Sequence, residues 1–389
     1  MKISRIETFI LKVPLGGDRF FSSQAAFPER NSFLVKLTTD DGLTGWGEGG
    51  QYGPAEPVKA CVEHVLGPTL LAMPDASPGL VWDTLYTQTR DFGQKGAYIE
   101  AISAIDIALW DLAGKALGVP VSTLMGGRFR DSVQAYGTGG YYRETTFDPA
   151  RDLSALQSEM ERYAATGFAM LKIKIGLLPV RQDAARIARV RQALGDDFHL
   201  LTDANHAYNS STAVLMGRHL EDAGVEMFEE PVPPEDREGY ARVRTALSVP
   251  IAGGEAEYTR YGFRDFIAGG CVDIVQPDIC VCGGISEAMK IQALASAHNL
   301  RVVPHVWGSG IALAAGLQVC SALPLTPFGY VPVPLQNEPV IEFDRTRNPL
   351  RDDLLTTPFT LHDGRVAVPD RPGLGVDVDP EVLNRYRVA

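Results

Sequence analysis

Apolar and polar positions follow two different rhythms along the chain. Met1 to Pro14 sets Ile3, Ile6, Phe9, Leu11 and Val13 among polar neighbours roughly as a half-buried strand does. Asn31 to Thr39, the turn Asp40-Asp41-Gly42 and Leu43 to Glu48 then read as strand, tight turn and strand. From Glu56 the pattern becomes helical, and Tyr98 to Leu117 carries Ile102, Ile105, Leu109 and Leu112 at helical spacing. Strands followed by helices predict an α+β unit over residues 1–130. Within it, Leu15 to Arg30 is too long for a hairpin turn, and its two glycines and Phe20-Phe21 pair predict a lid over a pocket.

After Gly126-Gly127-Arg128, short apolar, often β-branched runs alternate with longer amphipathic stretches. The runs cover 133–138, 169–175, 198–204, 226–231, 249–254, 272–277 and 301–304, with helical patterns such as 152–165, 180–194, 211–223, 236–247 and 286–298 between them. Residues at or just past the run ends, from the second run onward, fall at 174, 203, 229, 255, 278 and 305, in steps of 29, 26, 26, 23 and 27. One strand, one helix and two short loops repeat with such a period, which predicts an α/β chain with a (β/α) barrel over 131–349. A doubly wound sheet is the alternative. Its Gly-x-Gly-x-x-Gly fingerprint occurs by letter from Gly45 to Gly50, but there it lies in the second strand of a hairpin and opens no helix. The tail over 350–389 is expected to return to the amino-terminal unit.

Composition narrows the partners. A net charge of −12 argues against nucleic acid and against anionic membrane, so an anionic substrate would have to be drawn in by local cations or a metal. The scattered, odd-numbered cysteines, Cys61, Cys271, Cys280, Cys282 and Cys320, fit reduced thiols better than a disulfide framework. No apolar run approaches the ~20 residues of a membrane span, and Lys12 interrupts any signal-peptide core. A soluble, cytoplasmic protein is expected.

Chemistry in a (β/α) barrel sits at the carboxyl ends of the strands, and these run ends are reactive. Lys172 and Lys174 stand two residues apart and would share one face of a strand, roughly 7 Å apart. Their mutual repulsion is expected to lower a lysine pKa into a range useful for proton transfer. Asp203, Glu229 and Glu255 end successive runs, and three converging carboxylates call for a cation; an all-oxygen set suits Mg2+. Adjacent strand residues face opposite ways, so only one of Glu229 and Glu230 can be a ligand. Asp278 and His305 end neighbouring runs, and a carboxylate bonded to one imidazole nitrogen raises the basicity of the other. Lys174 and His305 would face each other across the barrel mouth.

As a set, Lys172-Ile173-Lys174-Ile175-Gly176, Asp203-Ala204-Asn205-His206, Glu229-Glu230-Pro231, Gly253-Gly254-Glu255, Pro304-His305-Val306-Trp307-Gly308 and Glu342-Phe343-Asp344-Arg345 resemble the enolase superfamily, in its mandelate racemase branch. The resemblance runs over nearly the whole chain and is strongest toward the branch's acid-sugar enzymes; the muconate-lactonising branch fits less well, since it has a lysine where this chain has Asp278. It implies a (β/α)7β modified TIM barrel with an α+β capping domain completed by the carboxyl-terminal tail. It also implies Lys174 as base with Lys172 as its pKa modulator, Mg2+ on Asp203, Glu229 and Glu255, the dyad of Asp278 and His305, and Glu342 bonding the substrate carboxylate. Asn205, Glu230, Phe20 and Trp307 are candidates for contacts around the ligands or with substrate. The superfamily's pattern of a lysine or histidine base with Mg2+ is already known, so the implied reaction follows from the resemblance. It is α-proton abstraction from a small-molecule acid sugar or its lactone, then β-elimination, as in lactone cycloisomerases and acid-sugar dehydratases, in a homo-oligomer. A racemase or epimerase of 2-hydroxy acids is the alternative, and a non-catalytic sugar-acid binding protein a remote one. Substrate choice is expected to reside in Leu15 to Arg30 and Gly47 to Pro54.

Overall fold

The computed structural model describes residues 1–50 and 53–388. Its strands begin with β1 (Ile3–Pro14), β2 (Phe20–Phe21), β3 (Ala26–Phe27), β4 (Glu29–Thr39) and β5 (Thr44–Glu48). β1, β4 and β5 form an antiparallel sheet, while β2 and β3 pair as a small hairpin within the predicted lid segment. The helix Ala97–Leu117 lies against this sheet. A Cβ at Gly45, Gly47 or Gly49 would collide with the carbonyl oxygen of Ala108, Ala104 or Glu100 respectively. Alternate strand residues thus meet successive helical turns. The first two glycines of the Gly-x-Gly-x-x-Gly spelling therefore serve to seat a helix directly on a strand, and the third, Gly50, has φ 69°.

Eight parallel strands follow in sequence order: β6 (Ser132–Gly139), β7 (Met170–Lys174), β8 (His199–Asp203), β9 (Met227–Glu229), β10 (Ile251–Gly253), β11 (Ile274–Val275), β12 (Arg301–Val302) and β13 (Val340–Asp344). β13 pairs with β6 at the far side of the series. Closure is visible in the packing. Tyr136, Met170, Leu201, Met227, Ala252, Ile274, Val303 and Val340, one from each strand or its immediate end, form a single buried cluster. Inward side chains from every strand can meet only when the sheet curls into a barrel. Helices follow the first seven of these strands, which makes a (β/α)7β barrel.

The tail divides in two, unlike the expectation that it returns wholly to the cap. β14 (Leu361–His362) and β15 (Arg365–Ala367) form a hairpin, and β15 pairs with the first barrel strand through Arg365↔Gln134 to Ala367↔Ser132. The chain beyond it reaches the cap, where Leu374 N donates to Asp111 Oδ1 at 2.8 Å and Val388 N to Ile10 O at 2.9 Å. The five cysteines are buried. Among the described residues, no helix is long and apolar enough to cross a membrane.

Candidate metal centre and active site

Strand register assembles the site. Lys174 on β7 lies opposite Asp203 on β8, and Asp203 opposite Glu229 on β9. Glu255 follows two residues after Gly253, the end of β10. Carboxylate oxygens of Asp203, Glu229 and Glu255 all lie within 4.8 Å of one another, and all three residues are buried. Glu230, on the opposite side of the backbone, turns instead to His206, whose Nε2 is 3.1 Å from its Oε2.

Both lysines point into the barrel. Lys172 Nζ donates to Glu229 Oε1 and Oε2 at 2.8 and 3.0 Å, and lies 3.0 Å from Glu342 and 3.8 Å from Asp203. Lys174 Nζ donates to Asp203 Oδ2 and sits 5.3 Å from the centre of the Tyr141 ring. Opposite them, His305 Nδ1 is 2.6 Å from Asp278 Oδ2, and its Nε2 is 3.4 Å from Glu255 and 3.6 Å from Glu342. Lys174 thus flanks the triad at Asp203 and His305 flanks it at Glu255.

The charges settle in a way that strand spacing alone does not foretell. Burial works to lower the pKa of each lysine, but the surrounding acids win: Glu229 and Glu342 for Lys172, Asp203 for Lys174. Both lysines are driven upward, and the expected lowering by lysine–lysine repulsion is a minor effect here. Burial would likewise depress His305, yet Glu255, Glu342 and Asp278 push it up to about 10. Against burial, Lys172 and His305 bring Glu342 down to about 2, and the two lysines depress Asp203 as well. Glu229 moves the other way, to about 8, because burial and the neighbouring acids outweigh Lys172. Burial is the largest part of that rise, and Asp203, Glu255 and Glu342 add to it. A divalent cation with oxygen preference fits this donor set, which offers three buried carboxylates and no sulfur or imidazole ligand.

Other site residues support the frame. Asn205 N donates to Asp203 Oδ1 at 2.8 Å. Asn205, His206 and Glu230 have φ of 42°, 65° and 45°, left-handed conformations that strain side chains bearing a Cβ, here beside the triad. Phe20 and Trp307 belong to one aromatic cluster above the mouth: Phe20 packs 4.5 Å from Tyr141 and 5.0 Å from Phe27, and Phe27 meets Trp307 at 4.9 Å. The segment from Leu15 to Arg30 reaches over the strand ends. Phe21 and Tyr142 exchange backbone bonds of 2.8 and 3.0 Å, and Ser23 Oγ donates to Ala204 O at 2.6 Å. Of the second expected loop, Gly50 N donates to Cys280 O at 3.4 Å, while Gln51 and Tyr52 lie outside the described residues.

Sequence reasoning gave no individual role to Thr138, Gln276, Tyr141, His206 or Arg30. Thr138 Oγ1 donates to Glu342, and Gln276 Nε2 to Glu229 Oε2 at 2.8 Å. Gln276 was findable, since it shares a strand face with Asp278 two residues on. Thr138 was not, because only the pairing of β13 with β6 brings it to Glu342.

Residues 6–126 match the family model described as the mandelate racemase / muconate lactonizing enzyme N-terminal domain, and residues 155–382 match the enolase C-terminal domain-like model. The chain belongs to the enolase superfamily, in its mandelate racemase branch. This superfamily member is 43% identical to the D-galactarolactone cycloisomerase of Agrobacterium fabrum, over 100% of this chain and 99% of that one. It is also similar to the crystal structure of the 3,6-anhydro-D-galactonate cycloisomerase from Zobellia galactanivorans, with a TM-score of 0.88, 38% identity and all of both chains covered. A mutant L-talarate/galactarate dehydratase liganded with Mg and L-glucarate superposes with a TM-score of 0.86 at 29% identity, over 100% of this chain and 92% of the other. The protein is accordingly an enolase-superfamily enzyme of isomerase or lyase type.

Proposed function

We propose that the protein removes the α-proton of an acid-sugar carboxylate, or of its lactone, and expels the oxygen substituent on the β-carbon. The observation that carries this reading is the pair of proton carriers, Lys174 and His305, on opposite flanks of one buried carboxylate triad. Asp203, Glu229 and Glu255 would hold Mg2+, which when bound supplies positive charge against the developing enediolate. Lys172 brings a fixed ammonium to the same end of the substrate. Glu342, held ionised here by Lys172 and His305, would bond a second carboxylate only with a proton between them, and the incoming anion raises its pKa in that direction.

The electron accounting closes within the chain. One of Lys174 and His305 takes the α-proton, and the C–H pair passes into the enediolate. That pair then returns to form the carbon–carbon double bond while the β C–O bond breaks, and the base on the other face protonates the departing oxygen. Tautomerisation leaves a 3-deoxy-2-keto acid. When the β-oxygen belongs to a lactone ring the product is ring-opened, and when it is a hydroxyl the result is dehydration. The likeness to cycloisomerases and acid-sugar dehydratases supports this choice of substrate class.

Two facing bases could also return the proton to the α-carbon, which is racemisation or epimerisation. Incubation in D2O with Mg2+ and a panel of acid sugars and lactones separates the two by NMR. A keto acid is expected, and deuterium at the α-carbon of recovered substrate with no keto product would replace elimination by epimerisation. Lys174→Ala and His305→Asn should each lower turnover by about 10²- to 10⁴-fold; undiminished turnover in both would refute the assignment.

A further inference from the structure

Arg30 opens β4 and is buried to 3% exposure, yet it is not one of the groups that hold the triad. Its guanidinium is used from one edge only. Nε donates to Arg347 O at 3.2 Å, and Nη2 to Asp344 Oδ2 at 2.7 Å and to Thr346 Oγ1. Nη1, on the other edge of the planar fork, is buried without a hydrogen-bond partner. Leaving a charged donor unsatisfied in the interior is costly, so this edge of the guanidinium calls for a partner, whether water or a ligand group.

The surroundings of Arg30 indicate what that partner is. Asp344 stands two residues beyond Glu342 on β13, so the two side chains share a face, with Asp344 roughly 7 Å further toward the cap. Arg30 Cζ lies 4.5 Å from the centre of the Trp307 ring and 5.1 Å from that of Phe20. Phe20 in turn packs on Tyr141, whose ring carries Lys174 Nζ at 5.3 Å. Arg30 therefore sits one tier above the reacting carboxylate end, across an aromatic wall from the base. A substrate held by its carboxylate at the triad would extend toward this tier with its far end. The planar donor fork of arginine matches a carboxylate better than a hydroxymethyl group.

We infer that Arg30 reads the distal carboxyl function of the substrate, so that the enzyme selects aldaric acids or their lactones over aldonic acids. The inference rests on the proposed function. In the lactone reaction this group carries the departing ring oxygen, and the Nη1 hydrogens would hold its other oxygen while the ring opens.

Calorimetric titration with Mg2+ present, using galactarate and galactonate, tests it, because these acids differ only in a terminal carboxylate against a hydroxymethyl group. Wild-type protein should bind galactarate about ten- to a hundredfold more tightly. Arg30→Met should bring the ratio near one, while galactonate affinity stays within about threefold. Arg30→Lys guards against misfolding: its single ammonium stays with Asp344, and the preference should largely vanish while the variant still unfolds in one cooperative transition. A wild-type ratio near one, binding of neither acid, or an undiminished ratio in both variants would overturn the inference. Deuterium exchange into other acid sugars tests the proposed function separately, so the two can fail independently.

Discussion

Asp106 offers a quantitative test of how the cap is fastened to the barrel. It lies on the cap helix Ala97–Leu117 at 2% exposure, and its two oxygens accept from the Ser286 backbone N–H at 2.9 Å and from Ser286 Oγ at 2.5 Å. Ser286 belongs to the first turn of the helix Gly284–Ala297, which follows the loop carrying Asp278. Burial raises the Asp106 pKa from 3.8 to about 7, with the Ser286 bonds offsetting only part of the cost. The unfolded chain releases this proton near 3.8 and the folded chain only near 7, so in that window the folded state binds more protons. Stability from this group is then fully present below about pH 4 and falls as pH rises, by about 1.4 kcal/mol per pH unit. Over the window the loss is about 4 kcal/mol, complete by about pH 8. Asp106→Asn cannot titrate. Any constant cost of rearranging its bonds to Ser286 cancels when its stability relative to wild type is compared between two pH values. Urea midpoints measured for both proteins from pH 4.5 to 8 should diverge, with the variant gaining on wild type across the whole range. Parallel curves would refute the reasoning, because they would mean that Asp106 is ionised in the folded protein at pH 5.

A second fastening is Glu48, fully buried at the end of β5, which accepts from Ser32 Oγ at 2.7 Å, from Ser309 N at 3.0 Å and from Ala312 N at 3.0 Å at the start of the helix Gly310–Ala322. Glu48→Ala should cost about 3 kcal/mol or more by stranding those donors, and Glu48→Gln less; equal melting temperatures for the two variants would count against this. Mg2+ at a hundred times its dissociation constant should stabilise the wild-type fold by about 2.7 kcal/mol, and Asp203→Asn should abolish the EDTA-sensitive part of the melting temperature. A thermal shift with Mg2+ that survives in the variant would place the cation elsewhere.

Much of the barrel was legible because its chemistry recurs with its period. An acid or a histidine closes each run from 198–204 to 301–304, and parallel pairing in sequence order then sets Lys174, Asp203 and Glu229 side by side. What stayed hidden depended on contacts that no local pattern encodes. The helix Gly310–Ala322 is buried on nearly every face, from Gly310 to Ser321, so it shows no amphipathic alternation to read. The lysine pair shows the same limit in its energetics. Within one strand, Lys172 and Lys174 see only each other, and repulsion is the sole effect available for inference. In the folded barrel Glu229 and Glu342 approach Lys172 to about the distance of a hydrogen bond, and Asp203 does so to Lys174. Coulomb energy falls with distance, so these close attractions from neighbouring strands outweigh the lysine–lysine term. A cation on the triad would compete with both lysines for those same oxygens. The lysine pair can therefore act as a tuned base only as part of the metal centre, and the two features have to be read as one device.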